Sequence, residues 1–330
     1  MDDSEAITAP AAPRFAPDTG APGEGRARLL ALLAMLDAAG YDFLAPTPAT
    51  QRRQMARADR LQARNLVDLL GWSLPIEPGV LDPEIEAGLL GAGALSPEEG
   101  GLLRPLLRAS RVEGALFWHS PYPTRQQDAV FLGPDSYRFA QFILANMPES
   151  PRTILDYGAG AGVGGIIAAR RAPGSLLTIA DINPVALYLA SINAEHAGVA
   201  HQVVKASRPA EFADSRFALI VSHPPFMIDR EHRIYRDGGD LHGARLSLDW
   251  LREGAALLAP GGRLVMHSGS AVIEGRDVLK TALVEEAFGA EITIDYREIE
   301  PDIFGNELSK PEYASVERIA AVGVVIDRSG

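Results

Sequence analysis

A chain of 330 residues with 31 Lys and Arg against 43 Asp and Glu carries a formal charge of −12 and contains no cysteine. The acidic balance argues against a protein that coats nucleic acid by charge alone. The missing cysteine excludes disulfides, thiolate metal sites and cysteine nucleophiles. An apolar fraction of 47% is ample for packed cores, and the length suits two domains. No run of 18 apolar residues is present, and the start Met1-Asp2-Asp3-Ser4-Glu5 is no basic, apolar leader, so a cytoplasmic chain without membrane contact is expected.

Residues 1–25 are rich in Ala, Pro and Gly and are expected to form a disordered tail. From Gly25 to Ala39, Leu29, Leu30, Leu32, Leu33 and Leu36 recur at helical spacing. A second helix is expected over Ala49 to Leu70. Several of Arg52, Arg53, Arg57, Arg60 and Arg64 share one face of it, which usually means a solvated surface and less often a nucleic-acid contact. Pro75, Pro78 and Pro83 break the pattern, and a short helix follows from Pro83 to Leu90. Ser96-Pro97-Glu98-Glu99 reads as a further helix start, and Val112 to His119 as one or two strands. Residues 26–125 therefore predict a smaller, mainly helical, winged-helix-like domain for substrate recognition, and residues 126–330 a second domain.

That second domain opens with Pro134-Asp135-Ser136, where Asp135 or Ser136 can cap a helix from Tyr137 to Asn146. The most informative stretch runs from Thr153 to Gly164. Thr153, Ile154 and Leu155 supply a buried strand that Asp156 ends. Gly158, Gly160 and Gly162 then permit a turn where side chains would keep a ligand from the backbone. A helix from Val163 to Arg171 points its N-terminal amides at whatever sits over that turn. A second strand, Leu176 to Ala180, ends at Asp181, about 20 residues on, where an acid can grip ribose hydroxyls. The glycines run G-x-G-x-G behind an acid, not G-x-G-x-x-G, which suits a cationic or amine-bearing ligand better than a diphosphate. Asn183 is a good N-cap and Pro184 a good first helical residue. A third strand spans Gln202 to Ser207. A fourth, Phe217 to Ser222, runs into His223-Pro224-Pro225-Phe226, where two prolines make a rigid turn whose carbonyls can only accept hydrogen bonds.

On these residues, from Phe131 to the C-terminus, the chain resembles the class I S-adenosylmethionine-dependent methyltransferases, in the small-domain branch related to release-factor glutamine and rRNA guanine N-methyltransferases. Asp156-x-Gly158-x-Gly160-x-Gly162 looks like the family's first motif, and Asp181 like the acid that holds the cofactor ribose. Asn183-Pro184-x-Ala186 and Asn193-Ala194 look like the helix that follows in the amino-methylating branch. The resemblance implies that S-adenosyl-L-methionine is held by Asp156, Tyr157, Gly158, Ala159, Gly160, Gly162, Asp181, Ile182 and Asn183, with Ser207 near the adenine. Asp135 and Ser136 stand where relatives place a turn over the cofactor; simple capping is the alternative. Ser222, His223, Pro224, Pro225 and Phe226 resemble the Asn/Asp/Ser-Pro-Pro-Tyr/Phe tetrapeptide of enzymes that methylate planar nitrogens. There a polar side chain and the next carbonyl accept from an amino group and the aromatic ring stacks on the substrate. His223 departs from that pattern. A neutral histidine accepts one hydrogen bond and a protonated one none, so either the reaction depends on neutral His223 or the substrate is neither the usual amide nor adenine. Ser207 also departs, since relatives often place an acid there.

The charged loop Ile228 to His242 follows the proline turn and carries a Gly238-Gly239 hinge, which makes Arg233, Tyr235, Arg236 and Asp237 substrate-contact candidates; a solvated loop is the alternative. Its histidines and aspartates lack the compact spacing of known metal sites, so no metal is expected. A helix from Leu241 to Leu258, a strand from Arg263 to His267 and a helix from Arg276 to Phe288 follow. Ile292 to Ile299 and Ile319 to Ile326 leave no room for a helix between them and should pair antiparallel. Pro301 to Glu317, with Phe304 and Tyr313, is either a lid or a long connection. The expected fold is α/β: a Rossmann-like, seven-stranded methyltransferase sheet with its last strand antiparallel, beside the smaller helical domain. The expected function is methyl transfer from S-adenosylmethionine to a planar nitrogen of a protein glutamine or a small molecule. An rRNA or tRNA base N-methyltransferase, with RNA as partner, is the alternative, and a degenerate methyltransferase fold that only binds partners is a third reading.

Overall fold

The computed structural model of the protein describes residues 13–17, 23–98 and 100–330. The remainder of the expected tail lies outside the described residues. In its described stretch, 13–17, Phe15 is buried against Tyr188, and Arg14 pairs with Asp128 at 3.0 Å.

The first 125 residues build α1 (Glu24–Ala38), α2 (Pro48–Met55) and α3 (Pro83–Gly91), then two antiparallel ribbons, β1 (Leu95–Pro97) with β2 (Leu103–Pro105) and β3 (Arg108–Val112) with β4 (Ala115–His119). The single helix expected from Ala49 to Leu70 is broken. It stops at Met55 and resumes as one π-turn over Val67–Gly71. Local side chains compete for the backbone in between: Arg57 binds Asp59, Arg60 binds Asp68, and Asn65 Oδ1 accepts from Asp68 N–H at 2.9 Å. Ser96-Pro97 lies in β1 and does not start a helix, because pairing with Leu103–Pro105 claims its backbone.

The remainder is one sheet with helices on both faces. In chain order it comprises α4 (Pro134–Asn146), β5 (Thr153–Tyr157), α5 (Val163–Arg171), β6 (Leu176–Asp181), α6 (Pro184–His196), β7 (His201–Lys205), β8 (Phe217–Ser222), α7 (Arg245–Ala256), β9 (Leu258–Ile273), β10 (Arg276–Asp277), α8 (Val278–Glu285), β11 (Ile292–Glu300) and β12 (Arg318–Arg328). The strand order is β11-β12-β9-β8-β5-β6-β7, with the two-residue β10 attached to β9. The pairs among β5, β6, β7, β8 and β9 are parallel, and β12 runs antiparallel to both β9 and β11. The antiparallel strand expected last in the chain is therefore inserted one place in from the edge, and β11 is the edge. The carboxyl ends of β5, β6 and β8 meet at one rim, where the order reverses, and ligands of open α/β sheets bind there.

Several boundaries shift from the sequence reading for identifiable reasons. Gly133 precedes α4, Pro134 is its first residue and Ser136 its third; the Ser136 hydroxyl accepts from Gly133 N–H at 3.3 Å. Proline needs no N–H at that position, so α4 starts three residues before Tyr137 and neither Asp135 nor Ser136 occupies the cap position. At the start of α7, His242 (φ 54°) and Gly243 (φ 90°) lie in the left-handed region and delay the helix to Arg245. Asp277 accepts from Lys280 N–H at 2.9 Å and so starts α8 only at Val278.

One apolar cluster runs without a break from Leu29, Leu33 and Trp118 of the N-terminal region to Phe139, Ile166 and Leu189 on the sheet's helices. Asn193 of α6, fully buried, rivets the two parts. Its Oδ1 accepts from Trp118 N–H (2.8 Å), and its Nδ2 donates to the carbonyls of Trp118 (3.1 Å) and Ala161 (2.9 Å). Replacing Asn193 with alanine strands three buried backbone groups, so a loss of about 3 kcal/mol in unfolding free energy is expected by denaturant titration; a loss below about 0.5 kcal/mol would remove the rivet from this account. No helix among the described residues is long and apolar enough to cross a membrane.

Candidate functional site

The tip of β5 carries the glycine turn. Gly158, Gly160 and Gly162 have φ of 67°, 54° and 83°, a region that costs other residues about 1–2 kcal/mol. At Gly158 a β-carbon would stand 2.6 Å from the Trp250 ring, and at Gly162 2.8 Å from Ile166, so neither position tolerates a side chain. At Gly160 a β-carbon would meet nothing within 4 Å: it would project into the open cleft above the turn. Gly162 has no side chain to cap α5, and Asp156 takes the third amide, that of Gly165, which leaves the amides of Val163 and Gly164 to face a ligand.

That cleft is a cavity of about 340 Å³ at the carboxyl rim of the sheet, a size that suits a nucleoside-like molecule. Of the residues singled out from sequence, Tyr157, Gly158, Ala159, Gly160, Asp181, Ile182, Asn183, Ser207, Asp135 and Ser136 line it. So do His223, Pro224, Pro225 and Phe226 from the turn after β8, and Tyr235 and Arg236 from the loop beyond. Five others do not. Asp156 lies beneath the turn, 1% exposed, where its Oδ2 accepts from Gly165 N–H at 2.7 Å and ties β5 to α5. Gly162 lies behind the turn against Ile166 and Ala190. Ser222 donates its hydroxyl to the Tyr157 carbonyl at 2.8 Å and braces the neighbouring strand ends. Arg233 makes a two-pronged ion pair with Asp229, and Asp237 bonds His232 and Gly239 N–H, so both shape the loop from outside the cavity.

Asp181 is held rigidly at the cavity. Its Oδ2 accepts from Gly160 N–H at 2.9 Å and its Oδ1 from Asn183 N–H at 2.8 Å, which fixes the carboxylate beneath the cavity and leaves lone pairs for a ligand. Burial pushes its pKa up against those two amides, and burial does the same to Asp135 against the opposing influence of His223 and Arg138. Two desolvated acids facing one cavity favour a ligand with hydroxyl donors and positive charge. Ser207 faces the cavity, but its N–H and hydroxyl both donate to Glu211 Oε1, at 2.7 and 2.6 Å. Its hydroxyl proton is therefore committed, and only oxygen lone pairs remain for an adenine.

His223 sits among Phe139, Phe226 and His267, with ring centroids 5.4, 5.7 and 4.8 Å away. Burial lowers its pKa, opposed by Asp135 and by the His267 carbonyl, so it stays neutral below the usual histidine range. Its Nδ1 lies 2.8 Å from the His267 carbonyl oxygen. A carbonyl can only accept, so Nδ1 carries the proton and Nε2 is a bare acceptor. Phe226 is held by contact with Gly269, where a β-carbon would lie 2.2 Å from its ring.

Sequence reasoning missed part of this wall. Trp250 of α7 covers Gly158 and meets Tyr157 edge-on (4.4 Å, 84°). Phe131 stacks on Tyr235 (6.2 Å, 11°), whose hydroxyl donates to the Thr124 carbonyl at 2.9 Å. Pro48, the first residue of α2, reaches the cavity from the N-terminal region. Phe304, singled out from the sequence in the connection from Pro301 to Glu317, lines it too, and Tyr313 of the same connection accepts from Ile228 N–H at 2.8 Å. These aromatics sit on helices and loops with no motif of their own; the helical period of α7 was the only available signal for Trp250.

Residues 125–287 match the family described as methyltransferase small domain. A release factor glutamine methyltransferase of Shigella dysenteriae is 34% identical over 99 residues, 30% of this chain and 36% of that one. The ribosomal RNA small subunit methyltransferase C of Aeromonas hydrophila is 38% identical over 87 residues, 26% of this chain and 25% of that one. These matches span about a third or less of the relatives' lengths. A release factor glutamine methyltransferase of Cereibacter sphaeroides aligns more broadly, at 28% identity over 81% of this chain and 91% of that one. The family match and the glycine turn thus identify residues 125–287, just under half of the chain, as a methyltransferase small domain.

Proposed function

We propose that the chain transfers a methyl group from S-adenosylmethionine to a planar nitrogen of a protein glutamine or a small molecule. One observation carries the reading: the rigid His223-Pro224-Pro225-Phe226 turn and the Asp181 receptor share a single cavity. When bound, the cofactor supplies a methyl group already activated on sulfonium, so the protein chiefly aligns donor and acceptor. Asp181 takes the ribose hydroxyls, and the side-chain-free turn lets backbone amides approach. His223 Nε2 and the Pro224 carbonyl accept from the nitrogen to be methylated, and Phe226 holds its plane. Asp135 and Arg236 set charge at the rim. Tyr235, pinned to Thr124, gives the acceptor a wall. A proton released by the acceptor is taken at His223 Nε2, which burial keeps neutral and available.

Replacing His223 with alanine is expected to cut turnover about a hundredfold, the usual size of a lost acid–base group, while calorimetry finds the cofactor affinity unchanged. An unaltered turnover sinks the assignment. A second reading, methylation of an RNA base, is favoured by one feature. Arg52 lies one helical turn from cavity-lining Pro48, and Arg52 and Arg53 are exposed with no ion pair among the described residues. Methyl-label transfer to separated protein and RNA fractions decides between the two.

A further inference from the structure

The pair of half-buried His223 and buried His267 holds more than the proposed reaction uses. His267, in the middle of β9, is 0% exposed, and burial holds its pKa well below the histidine range, helped by the charges of His223 and Arg138. Its Nδ1 lies 3.3 Å from His223 Nδ1, and its Nε2 has no hydrogen-bond partner among the described residues. A buried polar atom left unpaired calls for a reason.

The geometry permits one arrangement of protons. His223 Nδ1 must carry hydrogen, since it stands 2.8 Å from the His267 carbonyl. Two N–H groups cannot point at each other at 3.3 Å, so His267 Nδ1 is bare and accepts a second, weaker share of the same hydrogen. The His267 proton is then forced onto Nε2, where nothing receives it. We infer that His267 is a positioning residue whose carbonyl and ring nitrogen together lock His223 in the Nδ1–H form, leaving Nε2 as an obligate hydrogen-bond acceptor in the cavity. The inference rests on the reading of His223 as the group that meets the methyl acceptor. It also specifies that acceptor: the reacting nitrogen must present an N–H to a single fixed lone pair. A fully substituted nitrogen, or one whose lone pair points at His223, is refused. His267 is not the proton's destination, because a cation there has no neighbouring carboxylate to pair with; among its charged neighbours, Arg138 disfavours it. Asp135 faces His223 and is itself bonded to Arg138 at 2.9 Å, so it supports a transient charge on His223 only.

The test needs no ligand at first. Long-range proton–nitrogen correlation spectra of protein labelled at its 7 histidines, with the His223 signal assigned by its loss in His223→Gln, are expected to show His223 protonated at Nδ1. In His267→Phe, which keeps the ring's bulk and the main-chain carbonyl, His223 is expected to stay protonated at Nδ1, its Nδ1–H resonance to shift with loss of the second acceptor, and turnover to fall about tenfold, the worth of one hydrogen bond. His267→Asn, whose amide oxygen can stand where Nδ1 stood, is expected to restore the resonance, and turnover to within about threefold. A wild-type His223 protonated at Nε2 overturns the inference. So does His267→Phe with unchanged spectrum and turnover, or His267→Asn no better than His267→Phe when both melt like the wild type. Calorimetry with S-adenosylmethionine separates the failures: no cofactor binding ends the methyltransferase reading while the spectra still decide the tautomer.

Discussion

Replacing Asp181 with alanine is expected to weaken S-adenosylmethionine binding about a thousandfold. A carboxylate held by Gly160 and Asn183 amides has its rotamer fixed before a ligand arrives, so little ordering cost opposes the bonds it makes. Two charge-assisted hydrogen bonds to ribose hydroxyls are worth about 4 kcal/mol together, or about three decades in affinity. The substitution also strands the two amides, and the free protein should become less stable by about 1–3 kcal/mol. Calorimetry with the cofactor, beside circular dichroism to show the sheet intact, checks both. A dissociation constant within about threefold of wild type would remove Asp181 from the receptor.

The second large effect concerns pH. Burial pushes the Asp156 carboxyl up to about 7, against the Gly165 amide and with the Asp181 charge adding to the rise. An acid whose folded pKa is raised stabilises the fold fully below the unfolded value near 4, and that contribution is lost as pH rises through about 7. The shift is worth about 4 kcal/mol in all, of which about 3 kcal/mol falls between pH 5 and pH 8. The histidines act over an overlapping range with the opposite sign. Burial lowers His119, His223 and His267, so their contribution is present above about 6.5 and lost as pH falls through their lower folded values. Asp156→Asn, which copies the protonated acid, should remove the Asp156 part of the fall between pH 5 and pH 8. Urea unfolding at pH 5 and pH 8 measures this, and an equal pH difference in the variant and the wild type would refute it.

The parts legible in the sequence are those where backbone geometry dictates residue type. Gly158, Gly160 and Gly162 could be read because left-handed φ and the Trp250 ring forbid anything else. Asp181 could be read because a strand end and an N-cap bracket it. The alternation of strands and helices gave the sheet, and the short gap before β12 gave its antiparallel direction. Local reading failed where partners are distant. The helix expected from Ala49 to Leu70 looked continuous because its breakers are side-chain bonds, not Pro or Gly. Asp156 and Ser222 read as ligand contacts, yet Gly165 and Tyr157 claim them. Trp250, Pro48 and His267 join the site only through tertiary packing, and periodicity carries no sign of that.

The Asn193 rivet bears on how the molecule can be divided. Removing the first 125 residues would bare the outer sides of α5 and α6 and withdraw the Trp118 main chain from two of the bonds that keep Asn193 turned toward Ala161. The front of the molecule thus holds up the floor of the cofactor crevice, so heating should melt both in a single step, and an excised back half should aggregate before it could be assayed.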